Sequence, residues 1–232
     1  MRRITLLLAG FGLLLAAVPA AAQDRTGSWE ISPFAGGYFG GTLYNNAPFG
    51  SAGAAAPLYS SRIDVSTDVA YGVRLGYNVN RWLGIEFDWT HARPDLTAHL
   101  YTTGMPPYPA TSSNVKVGRL TQDVYEANAL FNWGKRKVIG YFGLGAGASV
   151  MKTDLTGIGS NSSTRFTGSM FVGGKFFFTP HVGIRVDGRY RFTDTGHTTN
   201  RYTSCDIYGY CYNHSSSWYS SGELTGGLTF AF

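Results

Sequence analysis

Several acidic residues are spaced two positions apart, and this spacing could support acid–base chemistry. Glu86 and Asp88 stand on either side of Phe87, and two carboxylates on one face of a strand can act as a general acid and a general base. Residues 182–192 place three arginines and one aspartate at the same spacing. Because arginines on the same face can pair with carboxylates, we interpret Glu86 and Asp88 as members of a structural ion-pair network.

Nucleophilic catalysis would need a histidine within hydrogen-bond reach of a serine, usually with a carboxylate that orients it. The sequence has histidines at positions 91, 99, 181, 197 and 214. His214 precedes Ser215 and His91 follows Thr90, but neither stands in a recognisable active-site pattern. We therefore predict that the protein is not an enzyme.

Residues 143–147, Gly-Leu-Gly-Ala-Gly, partly match the glycine fingerprint of dinucleotide-binding sites. That fingerprint holds a pyrophosphate at the N-terminus of a helix, and no helical pattern follows here. We interpret these glycines as small residues on one face of a strand, and we predict no cofactor.

The elements that carry these residues have the pattern of β-strands. In residues 69–79 every odd position is apolar or aromatic and every even position is small or polar, and no segment from Ser28 onward has a helical period. We predict eight strands, near 27–40, 67–79, 82–91, 117–133, 138–152, 164–179, 181–193 and 216–232.

The predicted connections alternate between short and long. The short ones lie at 78–81, 134–137 and 179–181, and the long ones span 41–66, 92–116, 153–163 and 194–215. Antiparallel barrels whose two ends face different compartments have short turns at one end and long loops at the other. The fold class we predict is all-β, an eight-stranded antiparallel up-and-down transmembrane β-barrel.

Composition excludes several other classes of protein. Charged residues make up 14% of the 232 residues, against about 25% in an average soluble domain. Aromatic residues reach 15% while mean hydropathy is only −0.08. A bundle of transmembrane helices, an intrinsically disordered chain and a collagen-like chain are therefore excluded.

The first 22 residues have the features of a cleaved signal peptide. Arg2 and Arg3 precede an apolar stretch at 4–18, and alanines at 20–22 form a small-residue cleavage site. A helical membrane anchor would need about 20 apolar residues. We expect a signal peptide at 1–22 and a β-barrel domain at 23–232. Without Arg2 and Arg3 the 19 basic residues fall to 17 against 14 acidic ones, and this scattered excess of 3 predicts no nucleic-acid partner.

Cys205 and Cys211 are the two cysteines of the chain. An exported protein meets an oxidising compartment, so we predict a disulfide that closes a small loop. A metal site would need more ligands than His214, the one histidine nearby.

The alternation gives the predicted barrel an apolar face and a charged face. If the aromatic face pointed inward, thirteen aromatic side chains would compete for a lumen that eight strands leave barely wide enough for side chains. We therefore predict that the aromatic face contacts lipid and that the charged face fills the lumen as a polar plug. A continuous aqueous pore is the alternative, although known porins use about 16–18 strands. The predicted lumen charges are Glu30, Arg74, Glu86, Asp88, Glu126, Lys175, Arg185, Asp187, Arg189, Arg191 and Glu223.

Three stretches carry a resemblance to a known family. Residues 141–148 form a glycine-rich strand. Residues 171–185 contain a second glycine-rich strand, a Thr-Pro turn and the start of a strand with alternating Arg and Asp. Residues 224–232 alternate up to a final Phe. The mature chain resembles the small outer-membrane β-barrel proteins of the OmpA-transmembrane-domain and porin-opacity type. The resemblance implies a bacterial outer-membrane location and makes Phe230 and Phe232 the signal read by the barrel-assembly machinery. Longer relatives carry a periplasmic domain that holds peptidoglycan, and we expect none here.

Fold does not fix function, so three functions stay open. The fourth long connection is rich in Tyr and Ser, which suits adaptable binding surfaces. We predict a structural or surface-recognition role, such as adhesion, for a monomer whose partners are outer-membrane lipid and a possible surface ligand. A small-solute channel is the alternative, and an enzyme that modifies lipid A or phospholipid is less expected.

Overall fold

The computed structural model describes residues 25–45, 59–102, 111–135, 137–156, 159–194, 202–205, 211–214 and 218–232. The predicted signal peptide and the predicted cleavage site lie outside these residues.

The described chain forms thirteen β-strands, and every strand pairing is antiparallel. The strands are β1 (Trp29–Gly40), β2 (Thr42–Asn45), β3 (Tyr59–Val65), β4 (Asp68–Asn78), β5 (Leu83–Ala92), β6 (Asp95–Thr102), β7 (Thr111–Lys135), β8 (Val138–Leu155), β9 (Gly159–Phe177), β10 (Val182–Asp194), β11 (Tyr202–Cys205), β12 (Cys211–His214) and β13 (Trp218–Ala231).

Eight of these strands close into a ring. Its order is β1-β4-β5-β7-β8-β9-β10-β13, and β13 pairs back with β1. The short strands β2, β3 and β6 pair in the order β2-β3-β6-β7 and continue the wall beyond one end of the ring. The fold is therefore the eight-stranded antiparallel up-and-down barrel that the alternation predicts.

The strands extend further than the sequence pattern predicts. Residues 95–102 and the beginning of β7 lie inside the predicted long connection 92–116. The predicted connection 153–163 is wrong in extent, because β8 and β9 leave only residues 156–158 between them. We name the part of the wall formed by β2, β3, β6 and the paired ends of β7, β8 and β9 the outer extension.

The outward face of the ring is apolar. Leu75, Leu144, Val172 and Leu228 are each between 42% and 57% exposed, although they are large hydrophobic residues. On β7, Trp133 and Tyr125 stand eight positions apart and both point outward. At about 3.3 Å per residue and a tilt near 40°, they bracket roughly 20 Å along the barrel axis, close to the apolar band of about 25 Å in outer-membrane barrels.

The polarity of the two faces is reversed in the outer extension. Its inward positions are apolar, with Leu96 and Leu120 at most 1% exposed. Its outward positions are charged, as with Asp95, which receives hydrogen bonds from Lys116 at 2.5 Å and Arg119 at 3.2 Å. The hydrogen bond from Lys116 lowers the pKa of Asp95. An outward face of this kind belongs in water, so the membrane band ends below this level.

Glycines on the inward face leave room for large side chains that fill the ring. A Cβ atom at Gly143 would lie 2.1 Å from Cζ of Phe171, and one at Gly173 would lie 2.3 Å from the hydroxyl of Tyr141. Both aromatic rings are buried inside the barrel. The glycine-rich strands β8 and β9 thus position the interior by leaving space for their neighbours' rings.

No helix in the described part of the chain is long and apolar enough to cross a membrane.

We expect Leu144→Arg to lower the free energy of unfolding by about 2–4 kcal/mol, because it places a cation at the middle of the apolar band. Urea unfolding in lipid vesicles measures this. Thr164→Arg, at an exposed outward position level with Asp123, is the matched control and should change stability little. Equal effects of the two substitutions would contradict this placement of the band.

We expect Gly143→Ala to cost about 1–3 kcal/mol of stability through overpacking against Phe171. In a Phe171→Ala background the same substitution should cost nearly nothing, and a double-mutant cycle measures the difference. Gly174→Ala is the control. A Cβ atom at Gly174 would lie 3.8 Å from its nearest neighbour, the carbonyl oxygen of Ile139. An equal cost of Gly143→Ala in both backgrounds would show that the position of the Phe171 side chain does not depend on this glycine.

Candidate functional site

The structure places all eleven sequence-predicted lumen charges inside the barrel. Each is at most 4% exposed, and each forms at least one ion pair with another member of the set. Their side chains come from β1, β4, β5, β7, β9, β10 and β13. We call this set the charged lumen.

Nearest the end of the barrel where Trp29 pairs with Phe232, Lys175 on β9 forms an ion pair with Glu30 on β1. The amide of Asn78 donates a second hydrogen bond to Glu30, at 2.9 Å. Because β1 and β9 stand three places apart in the ring, this pair crosses the lumen.

The next level contains Arg185 and Glu86. Two guanidinium nitrogens of Arg185 donate to the two oxygens of Glu86, and its Nε donates to the hydroxyl of Tyr141 at 2.7 Å. The guanidinium also lies 4.6 Å from the centre of the Tyr141 ring. The strands β10 and β5 are four places apart in a ring of eight, so this bidentate pair spans the full diameter.

Arg74 joins two carboxylates at the third level. Its Nε donates to Asp88 at 2.7 Å and its Nη1 donates to Asp187 at 2.9 Å, while Nη2 reaches the hydroxyl of Thr225 at 3.2 Å. The guanidinium lies 3.8 Å from the centre of the Phe34 ring. All the donor-bearing nitrogens of this guanidinium thus have an acceptor, as a buried arginine requires.

The fourth level is built around Glu126 on β7. Arg189 Nη1 donates to Glu126 at 2.5 Å, and Arg191 Nε donates to its other oxygen at 3.2 Å. Arg191 also pairs with Glu223, and Arg189 lies 4.1 Å from the centre of the Phe171 ring. The two arginines therefore share one carboxylate and link β10, β7 and β13.

Arg25, which precedes β1, completes the charge balance. The eleven predicted residues include five basic and six acidic side chains, and Arg25 adds a sixth cation near Glu30. Its guanidinium lies 3.2 Å from the centre of the Phe177 ring and donates to the carbonyl of Pro180 at 3.2 Å. Burial lowers the pKa of Arg25, and the charge of Glu30 opposes this shift.

Four aromatic side chains outside the predicted set of lumen residues are the partners of these cations. Phe34, Tyr141, Phe171 and Phe177 point inward, and each lies under a guanidinium. Phe34 has the same parity as Glu30 on β1, so the alternation along this strand predicts that Phe34 faces the lumen. Phe171 lies between two other apolar residues, where alternation is ambiguous, and Gly143 opposite is its clearest signal.

A band of hydrogen bonds caps the charged lumen on the side of the outer extension. The hydroxyl of Tyr38 donates to Gln122 Oε1 at 2.8 Å and lies 2.8 Å from the hydroxyl of Tyr219, and Gln122 donates to Ser149 at 2.9 Å. Tyr38 has the same parity as Glu30, and Tyr219 the same as Glu223, but neither was predicted to face inward. We call these four residues the tyrosine cap.

The histidines whose side chains the structure describes contact carboxylate, amide or backbone carbonyl groups. Nδ1 of His91 lies 2.7 Å from Asp123, Nδ1 of His99 lies 2.7 Å from Asn114, and Nδ1 of His181 lies 2.9 Å from the carbonyl of Ala231. In the described residues no group of three His, Cys, Asp or Glu side chains could hold a metal ion. His197 and the side chain of His214 lie outside what the structure describes.

Two further predicted features lie at opposite ends of the barrel. Phe230 pairs with Ile31, and the backbone of Phe232 exchanges two hydrogen bonds with Trp29, so the last strand closes the ring. Their role as an assembly signal stays a prediction. Cys205 and Cys211 are opposed in the β11–β12 ladder, but their side chains lie outside the described residues, and the disulfide also stays a prediction.

The fold is similar to solved outer-membrane proteins. The Neisserial surface protein A structure matches with a TM-score of 0.54 at 17% identity, over 89% of this chain and 99% of that one. OprG from Pseudomonas aeruginosa matches with a TM-score of 0.52 at 12% identity, over 91% and 98%. AlkL, solved in lipid bilayers, matches with a TM-score of 0.55 at 15% identity, over 93% and 95%. At these identities the likeness concerns the fold.

The sequence pattern of the outer membrane protein beta-barrel domain matches residues 10–232. A search of curated proteins found no match. With the closed ring, the apolar outward face and the match over nearly the whole chain in place, the chain belongs to the outer membrane protein beta-barrel domain family and is a protein of the bacterial outer membrane.

Proposed function

We propose that the barrel is a non-conducting membrane anchor that presents the outer extension for recognition at the cell surface. The observation that carries this proposal is the set of ion pairs across the lumen. Arg185 and Glu86 join opposite strands of the ring, and Arg74 joins β4 to β10 at the next level. Such pairs occupy the space that an aqueous pore would need.

The outer extension supports the second half of the proposal. Strand β7 has 25 residues, whereas about 9–11 tilted residues cross a bilayer. The hairpin of β8 and β9 stays paired as far as Leu155 and Gly159. A rigid wall of this length stands well above the membrane, and its mixed charges, such as Arg62 and Asp64 at 2.8 Å, suit contact with a polar surface.

A catalytic role has less support. His91 contacts a carboxylate, His99 contacts an amide and a carboxylate, and His181 contacts a backbone carbonyl. None of these three histidines is paired with a Ser or Cys nucleophile. We infer a monomer that contacts lipid through its outward face, binds no cofactor, and depends on the assembly machinery for insertion.

The refolded protein should show no stable single-channel openings in planar lipid bilayers, because the ion pairs fill the lumen. A heat-dependent gel shift confirms that the sample is folded. The folded double variant Arg185→Ser, Glu86→Ser removes the pair that spans the diameter and should raise conductance above that of the wild type. Stable openings in the folded wild type, altered by neutralising Arg74 or Glu86, would establish the channel function instead.

Shortening the β8–β9 hairpin should abolish surface recognition without unfolding the ring. Lys152 and Ser162 are paired, so replacing residues 153–161 by Asn-Gly should close a two-residue turn. Cells that express the wild type should adhere to laminin, to fibronectin or to each other above the level of cells with an empty vector, and the shortened variant should not.

Lys137→Ala, in the turn at the opposite end of the barrel, is the matched control and should adhere like the wild type. Surface expression is compared by antibody labelling. Adhesion of the shortened variant at the wild-type level, or no adhesion by the wild type to any of the three surfaces, would contradict the proposal.

A further inference from the structure

The interior of the barrel is divided into two chemically different parts by the tyrosine cap. Below the cap lies the charged lumen. Above it, the inward positions of the outer extension form an apolar cluster that includes the cap tyrosines themselves. The buried members are Tyr38, Val65, Ala70, Ala92, Leu96, Leu120, Met151 and Tyr219.

The charged lumen has its own set of stabilising contacts below the apolar cluster. Ion pairs and cation–π contacts already hold the arginines below the cap. The cluster instead continues outward through half-buried Leu43, Ile63, Val117 and Leu155, which pack against it. Apolar side chains thus face inward along several levels of a wall whose outward face is charged.

A cavity of about 290 Å³ opens on this apolar surface. Leu96 and Leu155 line it from β6 and β8, and Leu43 and Ile63 line it from β2 and β3. The polar residues that line it in the described part of the chain are neutral, and Asn161 has the longest side chain among them. The cavity therefore has an apolar wall and a neutral polar rim, as small-molecule sites commonly have.

The charges of the barrel interior do not line this cavity. Arg165 also faces inward, but it pairs with Ser149 at the level of the tyrosine cap, whereas Asn161 of the cavity rim pairs with Thr153. Four residues along β9 separate the two positions. A ligand in the cavity thus contacts no described carboxylate and no described cation.

The volume sets the size of the ligand. An engineered apolar cavity of about 150 Å³ binds benzene, which has six carbon atoms. A cavity nearly twice as large accommodates about ten to twelve non-hydrogen atoms by the same proportion.

We propose that the outer cavity binds one aliphatic chain of about ten carbons, with the hydrocarbon against Leu96 and Leu155 and a neutral polar end at Asn161. The chain belongs either to a free amphiphile from outside or to a lipid of the outer leaflet. Binding in this cavity does not rest on the recognition proposed for the outer surface of the extension.

The test uses 1-decanol and methyl NMR. The protein is labelled with ¹³C at Ile and Leu methyl groups and held in phosphatidylcholine nanodiscs. The methyl groups of Ile63, Leu96 and Leu155 should shift saturably as 1-decanol is added. Leu144 and Leu228, which face the bilayer, should shift only in proportion to the decanol that partitions into lipid.

Leu155→Trp fills the cavity. It should lower the affinity for 1-decanol, measured from the saturable shifts at Ile63 and Leu96, at least tenfold. The matched control Leu144→Trp places the same side chain on the lipid face and should leave the titration unchanged. Ile63→Trp serves as a second filling variant if Leu155→Trp does not fold.

Magnetisation transfer identifies the source of the chain. With deuterated lipid, transfer from decanol to the Ile63 methyl group supports a free amphiphile. With deuterated decanol, transfer from lipid acyl protons to the same methyl group supports a lipid chain. The proposal is overturned if the wild type shows no saturable shift, or if folded Leu155→Trp and Leu144→Trp titrate alike.

Discussion

The interior of an eight-stranded barrel is only about as wide as two facing side chains, and this width determines much of the structure. Side chains from opposite walls must meet, so a charge on one wall needs a partner on the other. Arg185 and Glu86 satisfy this requirement across the full diameter. Where an arginine leaves room beside it, an aromatic ring fills the space, as Phe34 does beside Arg74. The inward glycines are explained by the same limited width, because they leave space for the large side chains of neighbouring strands.

The barrel wall passes from lipid into water along its length. At this boundary the polarity of its inward and outward faces is reversed. Within the membrane band the outward face is apolar and the inward face is charged. In the outer extension Asp95 points outward and its neighbour Leu96 points inward. Along β8 the inward positions keep one parity from Tyr141 to Met151, whereas the pairing of β6 with β7 shifts register between Leu96 and Thr97. On β8 the change is therefore one of residue type. The ring and the outer extension thus contain a polar interior and an apolar interior in series.

This reversal explains which parts of the fold the sequence predicts well. Residues 69–79 and 182–192 lie in the membrane band, where apolar residues alternate with charged or small ones, and the predicted strands agree with β4 and β10. The sequence predicts a connection where β6 lies, because the outward residues of β6 are polar, as those of a loop would be. Its alternation with Leu96 and Ala98 was present but had the opposite polarity.

The alternation along the strands is sufficient to predict the charged lumen, because charged residues at alternate positions lie on the same face of a strand. Its aromatic residues are harder to predict, since Phe171 and Tyr141 also fit the outward face by composition. Phe171 has the same parity as the lumen residue Lys175, and Tyr141 has the same parity as Gly143. The space left by Gly143 and Gly173 also distinguishes the two rings, but which glycine lies opposite which ring depends on the strand register. Arg25 was missed because it precedes the first strand and has no alternation to assign its direction.

The partners in the charged lumen are far apart along the chain. Glu30 and Lys175 are 145 residues apart, and Arg74 and Asp187 are 113 apart. A barrel with only its first strands inserted would expose Arg74 and Glu86 to hydrocarbon without their partners on β10, which disfavours that state strongly. The interior therefore couples insertion to closure, so that the last strands neutralise the first ones as the ring forms. The ion pairs inside the barrel thus favour the closed form over partly inserted forms.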